Sequence, residues 1–128
     1  MIKGKILVMD DEDLVRTVTG KMLEYLGYQV ALTKNGEDAL NLYQAHQSEG
    51  HPFDAAILDW LVSDGMDGYR TMKALLQIDP EAKGILASGF NQMDESKKIS
   101  SLGFSGIIGK PYELKTLQAI LDSVLGKP

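Results

Sequence analysis

Short apolar runs alternate with longer amphipathic segments along this chain. Each short run is bounded by charged or turn-forming residues, a pattern typical of strands buried on both faces of a parallel sheet. Five such strands are predicted: Lys5–Met9, Tyr28–Thr33, Ala55–Leu58, Gly84–Ala87 and Gly106–Ile108. Because strand and helix alternate five times, the pattern predicts an open parallel sheet with helices on both faces.

Five helices are predicted from apolar residues at helical spacing. The first, Glu12–Leu26, has its apolar positions at Leu14, Val15, Val18, Met22, Leu23 and Leu26, and Gly27 is its natural stop. The others run from a cap at Asn35 to about Ser48, from Tyr69 to before Pro80, over Met93–Leu102, and over Leu114–Val124. Met93–Leu102 is polar on most sides, and Asp59–Gly68 is predicted to be a loop.

The composition excludes several classes of function. The chain has 128 residues, so we expect one domain over residues 1–128 with one core. It has no cysteine, which excludes disulfides, thiolate metal sites and a cysteine nucleophile and fits a cytoplasmic protein. A net charge of -5 argues against direct nucleic-acid binding, and the apolar run near the N-terminus is too short for a signal peptide or a membrane span.

Polar side chains follow four of the predicted strands. Asp10 and Asp11 follow the first strand, Asp59 the third, Ser88 the fourth and Lys110 the fifth. In a doubly wound sheet the binding crevice lies beyond the carboxyl ends of the strands. If these strands are neighbours, the five side chains meet at one edge.

This combination of groups is suited to phosphorylation of a carboxylate. Crowded carboxylates repel each other unless a cation lies among them, and oxygen ligands with many waters suit Mg²⁺. A lysine and a hydroxyl would contact phosphoryl oxygens while one aspartate acts as the nucleophile. Each group also has an ordinary structural explanation: an acidic first helical turn for Asp10–Asp13, a loop carboxylate for Asp59, a turn serine for Ser88 and a solvated lysine for Lys110.

Four segments carry a resemblance to a known family. They are Ile6-Leu-Val-Met-Asp10-Asp11-Glu12 with Arg16, Ala56-Ile-Leu-Asp59, Leu86-Ala-Ser88-Gly-Phe90 and Gly106-Ile-Ile-Gly-Lys110-Pro111-Tyr112. Together they resemble the response-regulator receiver domains of two-component signalling over nearly the whole chain. The resemblance implies the flavodoxin-like (CheY-like) α/β fold, a doubly wound five-stranded parallel sheet flanked by five helices with strand order 2-1-3-4-5.

The resemblance also implies roles for individual residues. Asp59 would take a phosphoryl group from a histidine kinase or histidine phosphotransfer domain. Asp11, Asp59 and the backbone carbonyl of Leu61 would bind Mg²⁺ directly, with Asp10 mainly through water. Ser88 and Lys110 would contact the phosphoryl group, and the Lys110–Pro111 peptide bond would be cis. A downstream protein would bind through the fourth helix, fifth strand and fifth helix.

The sequence departs from the family pattern in three features. Val62-Ser63 replaces the usual Met-Pro, and the loop after Asp59 holds one extra residue. Ile107 stands where an aromatic switch residue is common. Leu61 and Phe90 stand where polar residues often help a water molecule attack the acyl phosphate, so we expect slow self-dephosphorylation.

Two other functions compete with a phosphorylated receiver. A haloacid-dehalogenase-type phosphatase would use Asp11-x-Asp13. That function would leave Asp59 without a role, and it would require a cap domain and a late acidic pair, neither of which is found in this sequence. A receiver that no longer uses phosphate and serves as a binding module is the second. Beyond these, the loop after Asp59 and the Ser88-Gly-Phe90 turn resemble receivers of hybrid sensor histidine kinases, which implies a receiver that is part of such a longer protein. Separately, the chain is expected to signal through protein contacts rather than to be a separate enzyme.

Overall fold

The computed structural model describes residues 3–60, 66–89 and 102–126. Within them the chain forms five strands and four helices. The strands are β1 (Lys5–Met9), β2 (Gln29–Thr33), β3 (Ala55–Asp59), β4 (Gly84–Ser88) and β5 (Gly106–Gly109). The helices are α1 (Asp13–Tyr25), α2 (Gly36–Ser48), α3 (Gly68–Ile78) and α4 (Leu114–Val124).

All five strands are parallel, and their order in the sheet is β2-β1-β3-β4-β5, as the resemblance implied. Consecutive side chains of a strand point to opposite faces. Ile6 and Val8 therefore pack in a core layer with Leu23 and Leu117, whereas Leu7 and Met9 pack in a second layer with residues of the other two helices. Burial on both faces explains why the central strands β1, β3 and β4 carry runs of consecutive apolar residues rather than alternating ones.

Three strands continue one residue beyond their predicted ends. Asp59, Ser88 and Gly109 are the last residues of β3, β4 and β5, so the predicted loop Asp59–Gly68 was wrong at both of its ends. An apolar pattern stops at the first polar residue, but the backbone pairing does not. The polar side chains at these ends are therefore fixed by the sheet, not by a loop.

Side-chain caps mark the starts of α2 and α3. Asn35 accepts a hydrogen bond from Asp38 N at 2.9 Å, which confirms the predicted cap, and Asp67 accepts one from Arg70 N at 2.9 Å. The helix predicted over Met93–Leu102 lies, apart from Leu102, outside the described residues.

The apolar positions of α1 do not form one buried stripe. Leu23 is buried against the sheet, but the side chain of Leu14 is 76% exposed and that of Val18 is 43% exposed. The apolar spacing seen in the sequence thus combines a core face with an outward apolar face. In the described residues no helix is long and apolar enough to cross a membrane.

Candidate functional site

Three carboxylates converge at the carboxyl edge of the sheet. β1 and β3 are neighbours with Met9 beside Leu58, so Asp10 and Asp59 leave the two strands side by side. One carboxylate oxygen from each of Asp10, Asp11 and Asp59 lies within 4.8 Å of the others. The residue Asp10 is only 2% exposed and Asp59 only 5%, so this is a largely desolvated acidic cluster.

Lys110 reaches the same cluster from β5. Its backbone N–H donates to the carbonyl oxygen of Ser88 at 2.8 Å, and its peptide bond to Pro111 is cis. The ammonium Nζ lies 2.8 Å from Asp10 Oδ2 and 3.0 Å from Asp59 Oδ1. Lys110 and Asp59 therefore share one edge of the fold, as the sequence predicted.

The position of Asp10 is fixed by three hydrogen bonds. Its backbone N–H donates to Thr33 O at 3.1 Å, and its Oδ1 accepts the N–H of Glu12 at 2.9 Å. Its carbonyl oxygen accepts a bond from Arg16 Nη1 at 2.8 Å, and the other end of that guanidinium pairs with Asp13. Arg16 thus fixes the position of the acidic turn. In the sequence, only its place in the motif that resembles the receiver family indicated such a role.

The remaining oxygen of Asp10 matters for metal binding. Asp10 Oδ2 is buried and, among the described residues, accepts no hydrogen bond of acceptable geometry. It lies 2.8 Å from Lys110 Nζ, with which it forms an ion pair. Since buried polar atoms are normally satisfied, a hard cation or its water shell fits this oxygen and its neighbours.

Burial and crowding change the acidity of the site. Burial raises the pKa of Asp59 to about 6, with Asp10 and Asp11 adding to the increase and Lys110 opposing it. Burial alone would lower the pKa of Lys110, but its bonds to Asp10 and Asp59 outweigh this and raise that pKa above its usual value. At neutral pH the site therefore holds one fixed ammonium against three carboxylates.

Ser88 is fully buried at the end of β4, one residue beyond Ala87, which pairs with Asp59. Its hydroxyl donates to the carbonyl of Gly89 at a long 3.3 Å, a weak bond that a better acceptor would displace. Leu61, the predicted carbonyl ligand, and Phe90 lie outside the described residues.

Gly68 touches the candidate nucleophile directly, which the sequence analysis missed. A Cβ at this position would lie 2.3 Å from Asp59 O, and its N–H donates to Trp60 O at 3.2 Å. The signal available in the sequence was a glycine directly after Asp67, the cap of α3.

An apolar groove of about 380 Å³ begins at the site. Lys110 and Pro111 line its inner end, and the outward face of α1, including Leu14 and Val18, lines its side. Tyr112 lines it as well and packs against the core. Lys110, whose Nζ lies 3.0 Å from Asp59 Oδ1, connects this apolar groove to the candidate site.

Comparisons with known proteins agree with this arrangement. A family model described as "Response regulator receiver domain" matches residues 6–122. The probable transcriptional regulator ycf27 of Porphyridium aerugineum is 31% identical over 125 residues, covering 98% of this chain and 49% of its own length. Sporulation initiation phosphotransferase F of Bacillus subtilis is 25% identical over 125 residues, covering 98% of this chain and 96% of its own.

Solved structures share the fold. The receiver domain of sensor histidine kinase PA1611 from Pseudomonas aeruginosa PAO1, which has a magnesium ion in its active site cleft, matches with a TM-score of 0.82 and 23% identity over 97% of this chain and 98% of its own. The chain spans about half or less of the length of the first curated relatives it matches.

Proposed function

Because the chain belongs to the response regulator receiver domain family, whose members accept phosphoryl groups in two-component signalling, we propose that its phosphoacceptor is Asp59. The observation that carries this proposal is the convergence on Asp59 of two further aspartates and the ammonium of Lys110. Nucleophile, cation and acidic cluster are the parts that carboxylate phosphorylation needs.

In the proposed reaction a carboxylate oxygen of Asp59 attacks the phosphorus of a phosphohistidine on a kinase or phosphotransfer domain. The new bond is P–O, the broken bond is P–N, and the electron pair leaves with the imidazole nitrogen. Lys110 neutralises charge on the transferred group, and the Ser88 hydroxyl turns from Gly89 to donate to one of its oxygens.

We assign the metal site to Asp10, Asp11 and Asp59, together with the Leu61 carbonyl. Carboxylate oxygens are the ligands Mg²⁺ prefers, and the hydrogen-bond-free Oδ2 of Asp10 supports a cation or its water shell there. Bound at this cluster, Mg²⁺ would screen the carboxylates and polarise the phosphoryl group.

The partner that donates the phosphoryl group has to bring its histidine to Asp59. The apolar groove beside Lys110 supports docking of that donor on α1, because Leu14 and Val18 are exposed there and most of the residues that line the groove are apolar. Replacing Leu14 by Arg should slow transfer from a histidine kinase more than transfer from acetyl phosphate.

We also propose that a downstream protein binds through the segment Met93–Leu102, β5 and α4, and that the protein is cytoplasmic.

Phosphorylation by acetyl phosphate with Mg²⁺, followed by intact mass, tests the proposal. The wild type and Asp13→Asn should each gain one phosphoryl group, and Asp59→Asn should gain none. A phosphatase built on Asp11 and Asp13 would instead remain active as Asp59→Asn in a phosphatase assay. The side chain of Asp13 is 84% exposed and bound to Arg16, which supports the receiver assignment.

Binding of beryllofluoride with Mg²⁺ separates a phosphorylated receiver from a binding module that has lost the chemistry. Saturable binding by wild type and none by Asp59→Asn is expected. No binding by either would favour the module.

We further propose that the chain acts through protein contacts, without a separate enzymatic activity, and that it derives from a longer protein of the hybrid histidine kinase type.

A further inference from the structure

The first turn of α2 forms two hydrogen bonds with Met66, just before α3 begins. The backbone N–H of Met66 donates to Glu37 Oε1 at 3.0 Å, and the Met66 carbonyl accepts the N–H of Gly36 at 3.3 Å. The N–H and the carbonyl of Met66 are thus bound by two consecutive residues at the start of α2, Glu37 and Gly36. Such a reciprocal pair fixes the position of Met66 more tightly than a single bond does.

Close packing reinforces these two bonds. A Cβ at Gly36 would lie 2.2 Å from Thr71 Oγ1 and 2.6 Å from Met66 Cβ. Thr71 is fully buried, and its hydroxyl donates to Asp67 O at 2.7 Å. The start of α2 is therefore in direct contact with the start of α3, and only glycine fits at that contact.

The same short segment rests on Asp59. Two residues after Met66, Gly68 donates to Trp60 O at 3.2 Å and lies so close to Asp59 O that an added Cβ would be 2.3 Å away. A movement of Met66 is thus passed to the backbone of Asp59 through two peptide bonds and one packed contact.

We propose that Glu37 is a positioning residue for phosphorylation, which holds Met66–Gly68 against the backbone of Asp59 so that its carboxylate keeps the geometry for attack. This inference rests on the proposed function of Asp59. Glu37 lies on the surface, and its carboxylate binds this segment at the backbone N–H of Met66. It acts through the backbone alone.

The chemistry of Glu37 suits this task. The N–H of Met66 and its own N–H at the start of α2 hold the pKa of its carboxyl below the usual value, so the acceptor is charged at neutral pH. Charged acceptors make the stronger hydrogen bonds. Transfer to phosphorus depends steeply on the placement of the attacking oxygen, so a small displacement of the backbone has a measurable effect on rate.

Three single variants of the full chain test the inference. Glu37→Ala removes the acceptor, and Glu37→Gln keeps an acceptor oxygen without the charge. Asp38→Ala removes an equal charge from the same helical turn, where Asp38 is exposed and its backbone N–H bonds to Asn35. Phosphorylation rates with acetyl phosphate and Mg²⁺ are measured at saturating and at low acetyl phosphate, after urea unfolding shows each variant to be folded.

We expect Glu37→Ala to react about three- to tenfold more slowly at saturating acetyl phosphate. Glu37→Gln should regain most of that rate, and Asp38→Ala should match the wild type. The single tryptophan, Trp60, adjoins Asp59 and accepts the bond from Gly68, so its fluorescence should change in Glu37→Ala and not in Asp38→Ala.

Several results would overturn the inference. A folded Glu37→Ala with wild-type rate and fluorescence would show that Met66 needs no such acceptor. Glu37→Gln as slow as Glu37→Ala, or Asp38→Ala as slow as either, would mean that charge at this turn is responsible. If the wild type itself takes no phosphoryl group, the proposed function fails and the positioning role falls with it, an outcome distinct from a change confined to the variants.

Discussion

Asp59→Asn is expected to make the protein more stable while abolishing phosphorylation. Asp59 is buried next to Asp10 and Asp11, and the ammonium of Lys110 contacts Asp10 and Asp59. An asparagine has nearly the same shape and retains an oxygen that Lys110 Nζ can approach. The substitution therefore removes a destabilising charge without opening a cavity.

The magnitude follows from the pKa of Asp59, which burial raises from 3.8 to about 6. Converted at a tenfold change in equilibrium constant per pKa unit, this difference corresponds to about 3 kcal/mol. Residual solvent access and the weakened contact with Lys110 reduce it, so we expect a gain on the order of 1 to 2 kcal/mol at pH 7.5. For a chain of this length that is roughly 3 to 8 °C in Tm.

The pH dependence provides a sharper test. A carboxyl whose pKa is higher in the folded protein binds more protons there than in the unfolded chain between pH 3.8 and about 6. Its contribution to the stability of the wild type falls as pH rises through this interval and is constant above it. The advantage of Asp59→Asn should therefore be near zero at pH 4 and complete above pH 7.

Urea unfolding of both proteins from pH 4 to pH 8 without divalent ions measures this difference, and Mg²⁺ should then stabilise the wild type more than the variant. Asp13→Asn is the matched control, since Arg16 holds the pKa of the exposed Asp13 below its usual value and no gain is expected. An Asp59→Asn protein no more stable than wild type at pH 7.5, or a pH-independent difference, would refute the reasoning.

Three further outcomes are expected. Lys110→Ala should slow phosphorylation by acetyl phosphate about a hundredfold, because the ammonium that lies 3.0 Å from Asp59 Oδ1 is lost; a rate near wild type would exclude the assigned role of this lysine. Gly68→Ala should cost about 3 kcal/mol in urea unfolding, because its Cβ would meet Asp59 O at 2.3 Å, and an unchanged midpoint would contradict the packing described. Leu61→Asn should shorten the lifetime of the phosphorylated form on the order of tenfold, timed by intact mass, since an amide can orient the attacking water; slower decay than wild type would end the hypothesis.

Much of the candidate site could be predicted because its residues follow directly from the strand pattern. Asp10, Asp59 and Lys110 each stand where an apolar run ends, and parallel strands bring such ends to one edge. The apolar pattern predicted strands that are too short, since Asp59 and Ser88 pair in the sheet although they are polar. At these positions a polar side chain of the candidate site stands in place of the apolar side chain by which a buried strand is predicted.

The contacts between elements could not be predicted. Nothing in the spacing of Glu37 and Met66 indicates that their segments touch, because that contact depends on how α2 and α3 pack on the same face of the sheet. The outward apolar face of α1 was likewise hidden, since Leu14, Val18 and Leu23 all obey helical spacing while only Leu23 faces the core.

The sequence by itself determined the number and type of the described elements, the order in which they occur and the polar residues that lie at or next to the strand ends. Those features follow from local periodicity, which each segment carries in its own side chains. Only the tertiary structure decided which strands are neighbours, how close Lys110 Nζ comes to Asp59, and which glycines separate backbones in contact. These are distances between segments far apart in the chain, and they are set by the joint packing of both faces of the sheet.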